Sequence, residues 1–152
     1  MRGYLFWIAL SEAVGGISAW LTRAGMESYN SVAIKPPLSP APVAFAIVWT
    51  VLYALMGAGM ARIDRLSATV ERSRAKSLFF FQLAMNFCWS IIFFNLRGYG
   101  FALIWLVVMA AAVALMTAAF FSLDKAAGAM QLPYLIWTLF AIYLNFMVWR
   151  LN

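Results

Sequence analysis

Histidine is absent from the 152 residues of the chain, and cysteine occurs once, as Cys88. Without histidine the sequence provides no Ser-His-Asp or Cys-His catalytic system and lacks the commonest ligand of transition metals. A single cysteine permits neither an intrachain disulfide nor a cysteine-rich metal site. Walker-type glycine loops and dinucleotide fingerprints are also absent. We therefore expect no metal site and no cofactor.

Acidic residues are scarce as well, with five in the chain against eleven lysines and arginines. Only Glu12 falls inside a long apolar segment. Paired-carboxylate chemistry needs a second acid close to the first, and none lies at that depth. The sequence thus argues against a hydrolytic or phosphoryl-transfer enzyme.

Apolar residues make up 66% of the chain, and the mean hydropathy is +0.88, which exceeds what a soluble domain of this length buries. Apolar segments recur between polar breaks, and at about 1.5 Å per residue each crosses a hydrocarbon core of roughly 30 Å. Lipid cannot satisfy the backbone of an open sheet, so the segments must be helices. We predict an all-α integral membrane protein with one domain, residues 1–152, folded as a five-transmembrane-helix bundle. The predicted helices are 4–21, 43–61, 78–96, 101–123 and 132–149.

The net charge of +6 bears on orientation rather than on nucleic acid, because the basic residues are spread over segment ends and loops. Cytoplasmic ends of membrane proteins carry the excess of lysine and arginine. Seven basic residues fall on the N-terminal side of the bundle and four on the other. This bias predicts a cytoplasmic N-terminus and a C-terminus outside. The seven are Arg2, Arg62, Arg65, Arg72, Arg74, Lys76 and Lys125; the four are Arg23, Lys35, Arg97 and Arg150.

The connection from residue 22 to 41 is the longest predicted outer loop, and it ends in the proline-rich stretch "KPPLSPAP". Ser39 suits the N-cap of the second helix, with Pro40 and Pro42 in its first turn, where backbone amides have no intrahelical partner. By the same rule, Pro133 is expected to open the fifth helix. A loop of this length is more often functional than idle.

Lys35 precedes Pro36 and Pro37, which favour an extended, stiff strut across a helix end. The lysine would then lie beside the positive N-terminus of the second helix, a place that suits an anionic ligand group. The alternative is a lysine that only extends its amine toward the membrane interface. Both interpretations stay open from the sequence.

Glu12 is the most expensive residue to place in the membrane, since a charge at the bilayer centre costs on the order of 2.5 to 3.5 kcal/mol on insertion scales. An intramembrane acid is a functional candidate for this reason, for example as a proton site. Alternatively, Ser11 and Ser18 nearby would make it a structural hydrogen-bonding group.

Gln82 and Asn86 lie one turn apart in the third segment, and buried amides in lipid need partners. They either hold neighbouring helices together or line a pocket. Among the tryptophans, Trp49, Trp89 and Trp137 are deep in their segments, and each must place an indole N–H, which favours an internal cavity. The others, Trp7, Trp20, Trp105 and Trp149, lie near segment ends, as expected of an interfacial belt.

Three stretches together resemble one family. They are "KPPLSP" followed by "VWTVLYALMGAG", then "QLAMNFCWSIIFF", and finally "PYLIWTLFAIYLNFMVWRLN". In this order and spacing the chain is similar to the TspO/MBR family, the tryptophan-rich sensory proteins and translocator proteins related to the peripheral-type benzodiazepine receptor. The resemblance covers nearly the whole chain.

The resemblance implies a five-helix bundle, often a homodimer, whose ligand pocket is closed by the loop between the first two helices. Members bind porphyrins such as protoporphyrin IX, sterols and benzodiazepine-like drugs, in tetrapyrrole or stress signalling or in translocation. The lipid bilayer is the other implied partner. Carried onto this sequence, the pocket residues are Pro40, Trp49, Tyr53, Asn86, Ser90, Phe93, Trp137, Ala141 and Leu144.

Some positions depart from the family pattern. Asn30 stands where the family has the tyrosine of a Trp-Tyr pair, and with Lys35 and Pro36 it would form the rim of the pocket. The sterol-recognition pattern at the end of the fifth helix has Phe146 in place of its tyrosine, ahead of Arg150.

The leading hypothesis is a receptor-like membrane protein that binds porphyrins and other planar apolar ligands. One alternative is a proton-coupled small-molecule transporter that uses Glu12. Another is an enzyme that breaks down porphyrin under light through Trp49 and Trp137, which match the tryptophans implicated in that activity in some relatives.

Overall fold

The computed structural model describes residues 1–152 as five long helices with no strands. Each helix is long and apolar enough to cross a membrane, which confirms the predicted all-α, multi-pass architecture. The helices are α1 Arg2–Val32, α2 Pro42–Asp64, α3 Val70–Ser90, α4 Tyr99–Leu123 and α5 Lys125–Leu151, and α3 continues as a π-helical turn, Ile91–Asn95.

Helix α1 runs well past the predicted end at Leu21 and stops only at Val32. The stretch from Thr22 to Val32 is polar but contains no proline, so nothing in it breaks the helix. The end of the apolar run therefore does not mark the end of the helix. The connection to α2 shrinks from the predicted 22–41 to residues 33–41, the segment that we call the covering loop.

The start of α2 also differs from the prediction. Its N-cap is Ala41 and its first residue is Pro42, so Ser39 is not the cap and Pro40 lies in the covering loop. The turn ahead of the helix is made by Leu38, whose φ of 68° is left-handed, and by a hydrogen bond from the Ser39 amide to the Pro36 carbonyl at 3.3 Å. The Ser39 hydroxyl is thereby free for another role, and it is buried without a partner.

Helix α5 begins at Lys125, so Pro133 lies inside it instead of opening it. The cap is Asp124, whose carboxylate accepts the Ala127 amide at 2.9 Å. A proline in a helix removes one backbone hydrogen bond, a defect that membrane helices tolerate when neighbours re-satisfy the freed group. The prediction failed because the polar turn before Pro133 was taken for a loop.

The ends of the helices on the N-terminal side are joined by ion pairs. Asp64 accepts from Arg72 at 2.9 Å, from Lys76 at 2.7 Å and from the indole N–H of Trp7 at 3.1 Å. Trp7 is buried, so its assignment to an interfacial belt was wrong. These contacts tie α1, α2 and α3 together at one end of the bundle.

We expect Asp124→Ala to lower the free energy of unfolding by about 1 to 2 kcal/mol, and Asp124→Asn by less than about 1 kcal/mol. Asparagine keeps the cap, which is worth about 1 kcal/mol, and loses only the partly exposed pair with Arg62, worth about 0 to 1 kcal/mol. Thermal unfolding in a neutral detergent measures both. Equal losses of stability in the two variants would show that the N-cap is not the main contribution of Asp124.

The pair also predicts a pH dependence. Arg62 donates to Asp124, and the Ala127 amide adds a second hydrogen bond, so the pKa of Asp124 lies below its ordinary value. The stabilisation is therefore present above the unfolded-state pKa of about 4 and is lost as the pH falls further. The difference in unfolding midpoint between wild type and Asp124→Asn should shrink from pH 7 to pH 3.

Candidate ligand-binding site

A cavity under the covering loop, the loop compartment, is enclosed by the ends of α1 and α3 and by the outer turns of α2 and α5. Its volume is about 80 Å³. The covering loop forms the roof, and the aromatic side chains of α2, α3 and α5 form the walls. The lining residues are Met26, Tyr29, Asn30, Lys35, Ser39, Pro40, Pro42, Phe45, Trp49, Trp89, Phe93, Phe94, Trp137, Ala141, Leu144 and Asn145.

Aromatic rings are arranged edge to face along these walls. The rings of Trp49 and Trp137 are 6.5 Å apart at an interplanar angle of 87°, and Phe45 touches both, at 6.1 and 6.4 Å. On the opposite side Trp89 stacks on Phe93 at 5.0 Å. Ring contacts of this kind are worth about 0.5 to 1.5 kcal/mol beyond burial, so the walls suit a flat aromatic ligand.

The three deep indoles differ in their hydrogen bonding. Trp89 donates to the side-chain oxygen of Asn145 at 3.1 Å, and the amide of Asn145 donates to the Tyr99 carbonyl at 2.8 Å. The indole nitrogens of Trp49 and Trp137, in contrast, are buried and have no partner. A buried donor without an acceptor costs about 1 to 3 kcal/mol, so these two N–H groups call for an acceptor from outside the chain.

The covering loop is fastened to the end of α5. The Asn152 side chain accepts the Ile34 amide and donates to the Ile34 carbonyl, each at 2.9 Å. Tyr143 donates to the Pro37 carbonyl at 3.3 Å. All three bonds are exposed to solvent, so they fasten the loop weakly and reversibly.

Lys35 lies at the rim of the loop compartment. Its amine donates to the Asn30 carbonyl at 3.1 Å and stands 5.6 Å from the Tyr29 ring. Asn30 lines the same rim, whereas Pro36 is buried within the loop and does not reach the cavity.

A second cavity, the lateral compartment, lies between α1, α2 and α3 and has a volume of about 240 Å³. It shares a wall with the loop compartment, formed by Met26, Phe45 and Trp49 among others. Its lining residues are Glu12, Gly15, Gly16, Ser18, Ala19, Thr22, Met26, Pro42, Phe45, Ala46, Trp49, Thr50, Tyr53, Asn86, Trp89, Ser90 and Phe94.

The residues implied by the family resemblance divide between the two compartments. Trp49 lines both, whereas Tyr53, Asn86 and Ser90 line only the lateral one. The others line only the loop compartment: Pro40, Phe93, Trp137, Ala141 and Leu144.

Sequence reasoning missed several lining residues. Phe45 lies one helical turn before Trp49, a spacing that could have indicated it. Met26 lies in the stretch that was assigned to a loop, so its helical face was not considered. Phe94 lies within the π-helical turn, where ordinary α-helical spacing no longer predicts which face a side chain is on.

A chain of buried hydrogen bonds, which begins in the wall of the lateral compartment, joins α2, α3 and α5. Tyr53 donates to Asn86 at 3.3 Å, Asn86 to Tyr134 at 2.9 Å, and Tyr134 to Gln82 at 2.8 Å. Gln82 is fully buried here and lines neither compartment. Of the two interpretations of these amides, the structural one fits Gln82, while Asn86 both bridges helices and lines a cavity.

Glu12 is half-buried in the wall of the lateral compartment. The structural alternative, a hydrogen bond with Ser11 or Ser18, is not formed. Ser11 donates instead to the Trp7 carbonyl at 2.9 Å, and the Ser18 hydroxyl has no partner.

Comparison with known proteins gives one consistent result. The model of the TspO/MBR family matches residues 7–150. The tryptophan-rich protein TspO of Chlorobaculum tepidum is 32% identical over 148 residues, which cover 95% of this chain and 92% of that protein. The tryptophan-rich sensory protein of Cereibacter sphaeroides is 38% identical over 78% of this chain and 73% of its own length. The human translocator protein is 35% identical over 78% of this chain and 71% of its own length.

These matches run through the helices that build both compartments, and they agree with the motifs that carried the resemblance. The chain belongs to the TspO/MBR family.

Proposed function

We propose that this integral membrane protein is a receptor-like protein that binds a porphyrin, such as protoporphyrin IX, in the loop compartment. Membership of the TspO/MBR family supports a receptor-like role in the membrane. The choice of ligand class rests on the cavity itself, which combines aromatic walls with a cationic rim.

The observation that carries this proposal is the pair of buried indole N–H groups of Trp49 and Trp137, which have no acceptor within the chain. A flat ligand with acceptor atoms at its edge would stack on the walls and accept both hydrogen bonds. Porphyrins with carboxylate side chains have this combination of a large ring face and peripheral oxygens. Burial of the ring supplies the apolar part of the affinity.

The rim of the compartment supports an anionic group on the ligand. Lys35 brings the only basic side chain of the lining, and α2 begins beside it without a side-chain cap, so its first amides have no protein acceptor there. A helix N-terminus and an ammonium group together favour a carboxylate.

The compartment is smaller than a tetrapyrrole, at about 80 Å³. Entry therefore requires the covering loop to move, and the exposed bonds from Asn152 and Tyr143 are the ones that must open. Other planar apolar ligands, such as sterols and benzodiazepine-like compounds, would use the same route. We do not assign sterols to Phe146 and Arg150, because the nearby Tyr143 is engaged with the loop.

We further propose that the N-terminus is cytoplasmic, on the charge bias of the loops. The covering loop and the loop compartment would then face the outer side. The lipid-facing surfaces of the bundle leave room for a homodimer, which we propose on the family resemblance.

The function is tested by titrating the detergent-solubilised protein with protoporphyrin IX in the dark. We expect saturable quenching of tryptophan fluorescence and a shift of the porphyrin absorption band at micromolar concentrations. A micromolar dissociation constant corresponds to a binding free energy of roughly 8 kcal/mol. Work in the dark separates binding from any photochemical breakdown. A linear, non-saturating signal equal to that of empty micelles would contradict the proposal.

Lys35→Gln should weaken the binding of protoporphyrin IX up to about fivefold and leave the binding of its dimethyl ester unchanged. The lysine is exposed, and an exposed ion pair contributes about 0 to 1 kcal/mol. The ester has the same ring but no carboxylate, so its binding measures the contribution of the ring without that of the charge. Arg23→Gln is the matched control, since Arg23 is an exposed cation outside the loop compartment. Equal weakening for acid and ester would contradict a role for the charge.

A further inference from the structure

We propose that the lateral compartment is a second ligand site, which binds a lipophilic amine with its ammonium group on the Glu12 carboxylate. This inference does not depend on the porphyrin proposal, because Glu12 and Ser18 line the lateral compartment and lie outside the loop compartment. Three features of the compartment support this site: an acid without a cation, a hydroxyl without a partner, and an opening toward the lipid.

The acid lacks a counterion within the chain. Glu12 forms no ion pair, and the ion pairs that exist lie around Asp64 and Asp124 at the helix ends. No hydrogen bond reaches its carboxylate, and no lysine or arginine lines the compartment. Because an isolated charge at membrane depth is costly, a cation brought by a ligand would be bound strongly.

The hydroxyl of Ser18 is another unsatisfied group in this compartment. Ser18 is 4% exposed, and its oxygen has no hydrogen-bond partner. Ser11 and Thr22 on the same helix behave differently, since each donates to the carbonyl four residues earlier, at 2.9 and 2.7 Å. Ser18 thus keeps its hydrogen-bonding capacity for whatever occupies the cavity.

Between Glu12 and Ser18 the wall of α1 is made of small residues. Gly16 faces open space, with nothing within 4 Å of where a Cβ atom would stand, so the cavity continues past it from the acid toward the hydroxyl. The space over Gly15, in contrast, is filled by the ring of Tyr53. Six residues of α-helix rise about 9 Å along the axis and turn the side-chain direction by about 120°, so the acid and the hydroxyl lie at least this far apart. The fitting ligand therefore has an ammonium at one end, an apolar chain, and a hydrogen-bonding atom about that far along.

The compartment opens sideways, between α1 and α2. Gly16, Ala46 and Thr50 line it and are themselves exposed at the lateral surface of the bundle. In a membrane, this surface faces lipid. Lipophilic amines concentrate in the bilayer, so they would reach Glu12 through this opening without passing the covering loop.

A suitable probe is 6-phenoxyhexylamine, whose amine and ether oxygen are separated by a comparable length. Its neutral analogue, 6-phenoxyhexan-1-ol, keeps the chain and the ring but lacks the charge. Calorimetric titration of the full-length protein in a neutral maltoside detergent at pH 7.5 measures both. We expect saturable binding of the amine and at least tenfold weaker binding of the alcohol.

Glu12→Gln should weaken the binding of the amine at least tenfold and leave the binding of the alcohol unchanged. Glu27→Gln is the matched control, because Glu27 is an exposed acid on the same helix outside the compartment, and it should change neither. Equal amine affinity in wild type and Glu12→Gln would overturn the proposal. So would equal affinity of wild type for amine and alcohol, which would indicate apolar partitioning alone.

Ser18→Ala provides a second variant in case Glu12→Gln does not fold, as judged by thermal unfolding. It should weaken the binding of 6-phenoxyhexylamine several-fold. The binding of 7-phenylheptylamine, which has no ether oxygen, should be unchanged. An equal effect on both amines, or no effect on either, would overturn the proposed site, because the ligand would then not reach from Glu12 to Ser18.

Discussion

Replacing both Trp49 and Trp137 by phenylalanine is expected to weaken the binding of protoporphyrin IX at least about 100-fold while the unliganded protein keeps its stability. Each indole would donate to a charged or partly charged acceptor, and such a bond contributes about 1.5 to 3 kcal/mol. Two lost bonds amount to at least about 3 kcal/mol, and 1.4 kcal/mol is a factor of ten. Phenylalanine keeps most of the ring contact.

The expected stability is the informative half of this prediction. In the unliganded protein both N–H groups are buried without acceptors, so removing them relieves a cost that offsets the lost packing. A tryptophan with a structural hydrogen bond would behave differently. Trp89, whose indole donates to Asn145, should lose stability when changed to phenylalanine.

The measurement uses the absorption and fluorescence of the porphyrin, because the substitutions remove part of the tryptophan signal. Thermal unfolding without ligand gives the stability. The control is Trp20→Phe with Trp149→Phe, the same chemical change at two residues that are 62% and 48% exposed. Unchanged affinity in the Trp49 and Trp137 variant would show that the ligand does not use the loop compartment.

The architecture could be predicted from the sequence because the length of an apolar run is a direct measure of what crosses a bilayer. Helix ends could not, since polar residues do not break a helix. Thr22 to Val32 continues α1 outside the apolar run. The N-cap of α2 is Ala41 instead of Ser39, and α5 begins after Asp124 instead of at Pro133. Caps depend on local backbone conformation, which the residue types alone left open.

The candidate site was predictable to a similar degree. Trp49 and Trp137 were singled out because an indole deep in a membrane helix must place its N–H somewhere, and that argument holds for any fold. Which indole finds a partner could not be foreseen, because the Asn145 amide that satisfies Trp89 comes from another helix. The division into two compartments likewise follows from how α1 packs on α2, a tertiary fact without a sequence pattern.

That packing depends on Gly57, and Gly57→Ala is expected to destabilise the protein by about 3 kcal/mol or more. A Cβ atom at this position would stand 2.5 Å from the Ile8 Cα and the Trp7 carbonyl oxygen and 2.6 Å from the Ile8 nitrogen. These are backbone atoms, so they cannot rotate away, and α1 would have to move from α2. Overpacking of a well-packed interior typically costs about 1 to 3 kcal/mol, and this case has no flexible neighbour to absorb it.

Gly16→Ala is the matched control, because a Cβ atom there meets nothing within 4 Å. It should leave the stability unchanged or raise it slightly, since alanine favours a helix over glycine by about 1 kcal/mol. Thermal unfolding and unfolding in sodium dodecyl sulfate measure both variants. Equal stability of the two would mean that α1 and α2 are not held in backbone contact at this point.

The same pair of variants links the packing to the lateral compartment. Ile8 lies one turn before Glu12 on α1, so a shift of α1 at Gly57 changes the distance across the compartment near the acid. Gly57→Ala should therefore alter the affinity for 6-phenoxyhexylamine even in the fraction that remains folded, and Gly16→Ala should alter it only through the added methyl group. A loss of stability with unchanged amine binding would show that the amine is held by Glu12 without a second wall from α2.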